Sequence, residues 1–247
     1  MKKKTETTDG LAAVREDDAV AVAERMPTPS GDAGEAGADA CCGAEAPAKR
    51  KPRGRPLSFD RDAALETAMH VFWERGYEAA SIADLTSAMG ITPPSLYTAF
   101  GDKEHLFLET VERYALNFGS AGTRALKEET TAHGAIERWL LEAANELTEP
   151  CHPKGCMVVM AATNCSAAAE RVQDALLLRR TEALAEVSRR IQGGIDKGEL
   201  PADTHADELA SFYGAVYQGM SMQAKDGATR EGLLRTVKTA MRAWPAE

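Results

Sequence analysis

Two stretches hold the side chains best suited to a nucleic acid. In residues 81–103, SIADLTSAMGITPPSLYTAFGDK, Ser81, Thr92, Ser95, Tyr97 and Thr98 carry hydroxyls and Lys103 carries an ammonium. Small hydroxyl-bearing residues on a short helix allow close backbone approach to a duplex and hydrogen bonds to base edges or phosphates. Lys103 opens a helix, where its ammonium and the free N–H groups would jointly hold a phosphate. The second stretch, KRKPRGRP at 49–56, has five cations and no acid. Pro52 and Pro56 keep it extended. Arg53 and Arg55 flank Gly54, so both guanidinium groups can enter a narrow, electronegative minor groove.

A third stretch, CHPKGCMVVMAATNC at 151–165, brings Cys151, His152, Cys156 and Cys165 close in sequence. Thiolate and imidazole ligands suit a soft metal, and a thiol can sense oxidants. The spacing matches no common zinc motif. Cys156 and Cys165 fall in an apolar segment, where cysteine packs as a small hydrophobe. Cys41 and Cys42 complete an odd count of five with no C-x-x-C pair, which excludes a disulfide framework. No cofactor is expected. An enzyme using Cys151 or Cys156 with His152 is disfavoured, because sequence neighbours point apart. P-loop, GxGxxG, HExxH and GxSxG signatures are also missing from the chain.

The elements that must position these groups are helical. Leu65, Ala68, Met69, Phe72 and Trp73 recur on one face of a helix ended by Gly76. Ser81 caps a second helix with Asp84 in a box-like arrangement, and Gly90 ends it. Thr92 caps a third, PPSLYTAF, with Pro93 at its first position. Asp102 caps a fourth, KEHLFLETVERYALNFG. Ile82, Leu85, Met89, Ile91, Leu96 and Phe100 would bury a common face. The two short helices therefore read as a helix-turn-helix whose second helix offers Pro94, Ser95, Tyr97, Thr98 and the Thr92 end to a major groove. Further helices are expected at 135–148, 155–165, 166–192 (ended by Gly193-Gly194), 205–224 and 229–243. No strand, hairpin or repeat is apparent.

Residues 57–107 resemble the N-terminal domain of TetR/AcrR-type bacterial transcriptional regulators. The similarity rests on FWERGYEAASI followed by ADLTSAMGITPPSLYTAFGDKEHLF, with Gly76, Tyr77, Ser81, Ile82, Gly90, Tyr97, Phe100, Lys103 and Leu106 at matching intervals. The resemblance implies an all-α protein: a three-helix DNA-binding head followed by a helical ligand-binding and dimerisation body. It implies that Tyr97 and Lys103 contact phosphates and that Thr92, Pro94, Ser95 and Thr98 face bases. Ser81, Pro93 and the arm residues Arg53, Gly54 and Arg55 complete the expected DNA-binding set. It further implies a regulator, in the main a repressor, released from a palindromic operator by a small molecule of unknown identity. Cysteine-based metal or redox sensing on the same scaffold, and a helical interaction protein without DNA binding, are the competing readings.

In the body, Leu209, Phe212, Tyr213, Val216, Tyr217 and Met220 form one stripe, and Leu234, Val237 and Met241 another. The last two helices of each chain could then form an isologous four-helix homodimer interface. Tyr114, Phe118, Trp139, Met157, Met160 and Asn164 are candidates for the lining of an apolar pocket.

Composition agrees with a cytoplasmic protein. Of 247 residues, 44% are hydrophobic and 27% charged, and no apolar run approaches the roughly 18 residues of a membrane span. The basic cluster of MKKKTETTDG lacks an apolar segment behind it, so a secretory signal is not expected. The net charge of −9 is uneven: −5 over 1–48, +5 over 49–56 and −9 beyond. The expected organisation is an acidic, Ala/Gly-rich disordered tail (1–48), a basic arm (49–56), a helix-turn-helix domain (57–102) and a body (103–247).

Overall fold

The computed structural model describes residues 59–245 apart from 119 and 164. The acidic tail, the basic arm and Asn164 lie outside the described residues, as do Cys41 and Cys42. Every regular element within them is helical.

Three helices form the head. α1 (Arg61–Arg75) is capped by the Asp60 carboxylate, which accepts from the Asp62 and Ala63 N–H groups. α2 (Ile82–Met89) begins at a complete capping box between Ser81 and Asp84. Gly90 turns the chain at φ 65°, ψ 30°, a left-handed conformation that a Cβ disfavours. α3 (Pro93–Phe100) is capped by Thr92. Leu85, Leu96 and Phe100 are buried with Ala68, Met69 and Phe72 of α1, and Ile82, Met89 and Ile91 pack at the margin of that core. The expected apolar face is therefore the observed one. Arg61 ties the three-helix unit to the next helix: it donates to the Ala99 carbonyl, lies 4.4 Å over the Phe100 ring and pairs with Glu109 at 2.7 Å.

α4 (Lys103–Asn117) leads into the body. There α5 (Ser120–Glu128), α6 (Ala132–Glu146), the single turn α7 (Met157–Met160), α8 (Glu170–Ile195), α9 (Ala206–Lys225) and α10 (Arg230–Ala240) pack around a second core. Three departures from the sequence expectation have physical causes. α5 was not expected, and it forms in a segment of mixed polarity that packs along α6. The helix expected at 155–165 contracts to four residues, because the Ala161 carbonyl is taken by the Tyr77 N–H at 2.8 Å and the chain turns at Ala161–Thr163. Gly193-Gly194 does not end α8. Gly194 is buried within it, and a Cβ there would lie 2.5 Å from Ala132 Cβ and 2.9 Å from Leu200 Cδ1. Close helix approach, rather than termination, accounts for that glycine.

Head and body are clasped at a second seam besides α4. The Trp73 indole N–H donates to the Gly155 carbonyl at 2.9 Å in a buried setting, and the Tyr77 N–H donates to the Ala161 carbonyl at 2.8 Å. Around this seam, Glu74 meets Lys225 at 3.2 Å, Glu104 meets Arg171 at 2.7 Å, and Glu78 accepts from Ser166 at 2.7 Å.

Candidate nucleic-acid interface and body cavity

The outer face of α3 is built to be presented. Leu96 and Phe100 anchor its inner side, which leaves Thr92, Pro93, Pro94, Tyr97 and Thr98 exposed and Ser95 half-buried. Tyr97 is 50% exposed, unusual for so large a ring. Several hydroxyls already have local partners. Thr92 Oγ1 and Ser95 Oγ share a hydrogen bond of 2.9 Å, and Thr98 Oγ1 donates to the Pro94 carbonyl at 2.8 Å. These bonds fix rotamers while leaving lone pairs outward. Ser81 is committed to its cap: its Oγ lies 2.6 Å from Asp84 Oδ2 and accepts from the Asp84 N–H. Those bonds, with Arg75 at 2.5 Å, hold the Asp84 carboxyl down at about 2.

Lys103 begins α4, but its ammonium folds back. It lies 4.4 Å over the Tyr77 ring and donates to the Glu78 carbonyl at 3.4 Å, and burial lowers its pKa. One of its three donors is thereby used. Asp102 caps the same helix by accepting from the His105 N–H, which keeps its carboxyl low. Arg61 and Arg75, the arginines of α1, are paired with Glu109 and Asp84. The α3 face is thus hydroxyl-rich and nearly uncharged, and Lys103 is the cation closest to it in sequence. Arg53 and Arg55, the other expected cations of the interface, lie outside the described residues.

In the body, a cavity of about 300 Å³ opens between the end of α4 and helices α6, α8 and α9. Phe118 and Trp139 are in its wall, with Trp139 stacked on Tyr217 at 5.4 Å. Tyr114 is buried behind it against Trp73, at 4.8 Å edge to face. Met157 is wholly buried in the core and Met160 is not in the wall; Val158 and Val159 of the same short turn line it instead. Residues that the sequence reading did not single out include Leu126, Arg180 and Glu146. Glu146 left a signal: with Trp139 and Ala143 it falls at i, i+4 and i+7, a carboxylate on an otherwise apolar face.

The cysteine-rich segment does not converge on a site. Cys151 is exposed, Cys165 half-buried and Cys156 buried at the cavity. His152 stacks on Trp73 at 4.5 Å with its Nδ1 2.9 Å from the Pro153 carbonyl. Among the described residues no three His, Cys, Asp or Glu side chains group to hold a metal.

The expected dimer stripe needs correction. Tyr213, Met220, Val237 and Met241 are buried within the chain's own core, which leaves them no surface for a second chain. Leu209, Val216 and Leu234 pack half-buried against that core, and Tyr217 faces the cavity. Of the set, Phe212 is exposed, at 41%. Periodicity reports an apolar face without saying which neighbour covers it.

A helix-turn-helix with an exposed second helix, docked on an all-helical body with an internal cavity, defines a class of one-component DNA-binding regulators. Comparison with known proteins agrees. A family model described as "Bacterial regulatory proteins, tetR family" matches residues 64–110. A second, "Tetracyclin repressor-like, C-terminal domain", matches 135–243. The HTH-type transcriptional repressor ComR of Escherichia coli K12 is 36% identical over 197 residues, covering 79% of this chain and 94% of the relative. The repressor AcnR of Corynebacterium glutamicum is 29% identical, covering 70% and 86%. Among solved structures, a cysteine mutant of the TetR family regulator CifR complexed with 26-base-pair operator DNA is 46% identical. That likeness covers 78% of this chain and 100% of CifR, with a TM-score of 0.75. The chain belongs to the tetR family of bacterial regulatory proteins, and is a DNA-binding transcriptional regulator rather than an enzyme. No helix among the described residues is long and apolar enough to cross a membrane.

Proposed function

We propose that the protein is a cytoplasmic repressor that binds an inverted-repeat operator as a homodimer and leaves it when a small molecule enters the body cavity. The observation that carries this reading is the exposed face of α3, with Tyr97 half in solvent and Thr92, Pro94 and Thr98 beside it. Tyr97 and Lys103 hold phosphates, Ser95 and Thr98 face bases, and Arg53 and Arg55 enter the minor groove. Lys103 must first swing off Tyr77 to do so. The relatives ComR and AcnR are named repressors, and CifR is bound to operator DNA.

Two copies meet through α8 and α9. Leu177 and Leu178 are 55% and 50% exposed on α8, and Phe212 and Met222 are 41% and 47% exposed on α9. Leu177, Leu178, Thr181 and Ala185 follow one helical face, as do Phe212, Ala215, Gly219 and Met222. An isologous four-helix contact covers both stripes. Ligand reaches the heads by two routes. Ala115 and Phe118 line the cavity from α4. Cys156 lines it next to Gly155, whose carbonyl holds Trp73 of α1. A coupling of about 1–3 kcal/mol between cavity and operator gives roughly 5–150-fold control, and DNA must weaken ligand by the same factor.

Selection of bound duplexes from a random library, at two salt concentrations, tests the reading. The expected product is an inverted repeat, bound at least about tenfold more weakly by Tyr97→Ala, with a shallower salt dependence for Arg55→Ala. Phe212→Glu should yield monomers by sedimentation and lose the operator. Salt-labile binding with no enriched sequence would overturn the proposal.

A further inference from the structure

We propose that the body cavity takes an organic cation, an amphiphilic ammonium whose charge meets Glu146 and whose apolar portion lies against Trp139, Tyr217 and Phe118. The inference rests on reading this cavity as the effector site. It names the chemical class of effector.

The argument starts from an unmatched charge. Glu146 lines the cavity as the last residue of α6, and among the described residues no ion pair or side-chain hydrogen bond holds its carboxylate. Burial and the Glu142 carboxylate, one turn earlier, both push its pKa up, to about 7. Glu142 cannot relieve it. Glu142 binds Arg138 through Oε1 at 2.7 Å and leaves its own Oε2 buried without a hydrogen-bond partner. Neither cation on the wall forms an ion pair with Glu146. Arg179 pairs with Glu112 and Glu182, and Arg180 donates to the Val158 carbonyl at 2.9 Å. The remaining acid of the wall, Glu186, approaches Arg189 at 4.0 Å.

Three physical terms then select the ligand's sign. A half-buried carboxylate with no ion-pair partner is poorly solvated, and a cation beside it offsets that cost. The C-terminal end of α6 carries the negative pole of the helix dipole, which favours positive charge. The stacked faces of Trp139 and Tyr217 attract an ammonium and bury its apolar body. An anion would meet repulsion at Glu146, and a neutral molecule would leave the carboxylate unmatched. Near neutral pH a fraction of Glu146 holds a proton, which the entering ammonium expels. Binding therefore releases protons and strengthens as pH rises through about 7.

The experiment is calorimetric titration of the full chain with three naphthyl probes: 1-naphthylmethylammonium, 1-naphthylmethanol and 1-naphthoate. It is run at pH 6 and pH 8 in buffers of different ionisation enthalpy, on wild type and Glu146→Gln. The wild type should bind the ammonium at least about tenfold more tightly than the alcohol at pH 8, as a charge-assisted contact implies. It should lose part of that preference at pH 6 and release protons on binding. Glu146→Gln should bind the alcohol unchanged, which shows an intact cavity, and should lose both the preference and the proton release. Equal affinity for all probes, preference for naphthoate, discrimination that survives Glu146→Gln, or no binding of any probe would each overturn the proposal. Duplex binding of the ligand-free protein is measured alongside. Ammonium binding without DNA binding would refute the repressor reading and leave the site standing. Intact DNA binding with no ammonium preference would do the reverse.

Discussion

Head and body are both helical, yet they are held by different means. In the head α2 and α3 have eight residues each, and every helix start is fixed by its own side chain: Asp60, Ser81 and Thr92 cap α1, α2 and α3. In the body Thr131 and Thr229 cap α6 and α10, but the two longest helices, α8 with 26 residues and α9 with 20, start without a side-chain cap. Their positions are set by contact. A Cβ at Gly194 would strike Ala132, and one at Gly214 would lie 2.6 Å from Leu184 Cδ1. Local chemistry shapes the part that must present a fixed face to DNA. Tertiary packing shapes the part that must surround a cavity, and packing leaves more room for change.

The largest expected effect is common to both regions. Phe72→Ala removes a wholly buried ring set edge-on to Phe107 at 5.0 Å. It should cost about 3–5 kcal/mol in urea unfolding, as should Tyr213→Ala in the body. If either variant is tolerated within 1 kcal/mol (roughly the span of a surface change), that core is not what holds its region. Next come the substitutions that separate the two. Gly194→Ala should cost about 1–3 kcal/mol by overpacking, where an ordinary helix interior would gain from alanine. Ser81→Ala should cost about 1 kcal/mol and lower operator affinity by misplacing α2. A larger loss at Ser81 than at Gly194, read from thermal midpoints, would reverse the comparison.

The smallest effects are opposite in sign. Asp84 in the head is depressed to about 2, so its contribution is present above pH 3.8 and is lost as pH falls through about 2. Glu146 in the body is raised to about 7, so stability is full below pH 4.5 and declines as pH rises through about 7. Thermal midpoints of the ligand-free protein should fall between pH 5 and pH 8, and Glu146→Gln should flatten that fall. Asp84→Asn should blunt the acid limb alone.

The same division explains what the sequence made legible. Caps, Pro93 and Gly90 act on near neighbours, so the head's helices and its outward residues could be read from a few positions at a time. The apolar stripe of α9 was equally visible, but whether Tyr213 and Phe212 face the core or a second chain depends on α10, more than 15 residues away. Glu146 was legible only in part: its spacing from Trp139 and Ala143 marks the face, not what covers it. A carboxylate beside Glu142 and Asn145 looks like a solvated helix end until α8 and α9 close over it. Met157 and Met160 misled because a four-residue turn has no stable face, so neighbouring residues diverge into core and cavity.

The clasp of Trp73 against Gly155 has an optical consequence. The chain has three tryptophans: Trp73 at the seam, Trp139 in the cavity wall and Trp244 near Tyr213. Ligand arrival and head movement therefore fall on different chromophores. A protein with Trp244 and one of the other two changed to phenylalanine emits from a single place. In one such protein the emission follows occupancy of the cavity, and in the other it follows the opening of an indole hydrogen bond. The delay between the two signals after mixing would give the time the message takes to leave the body.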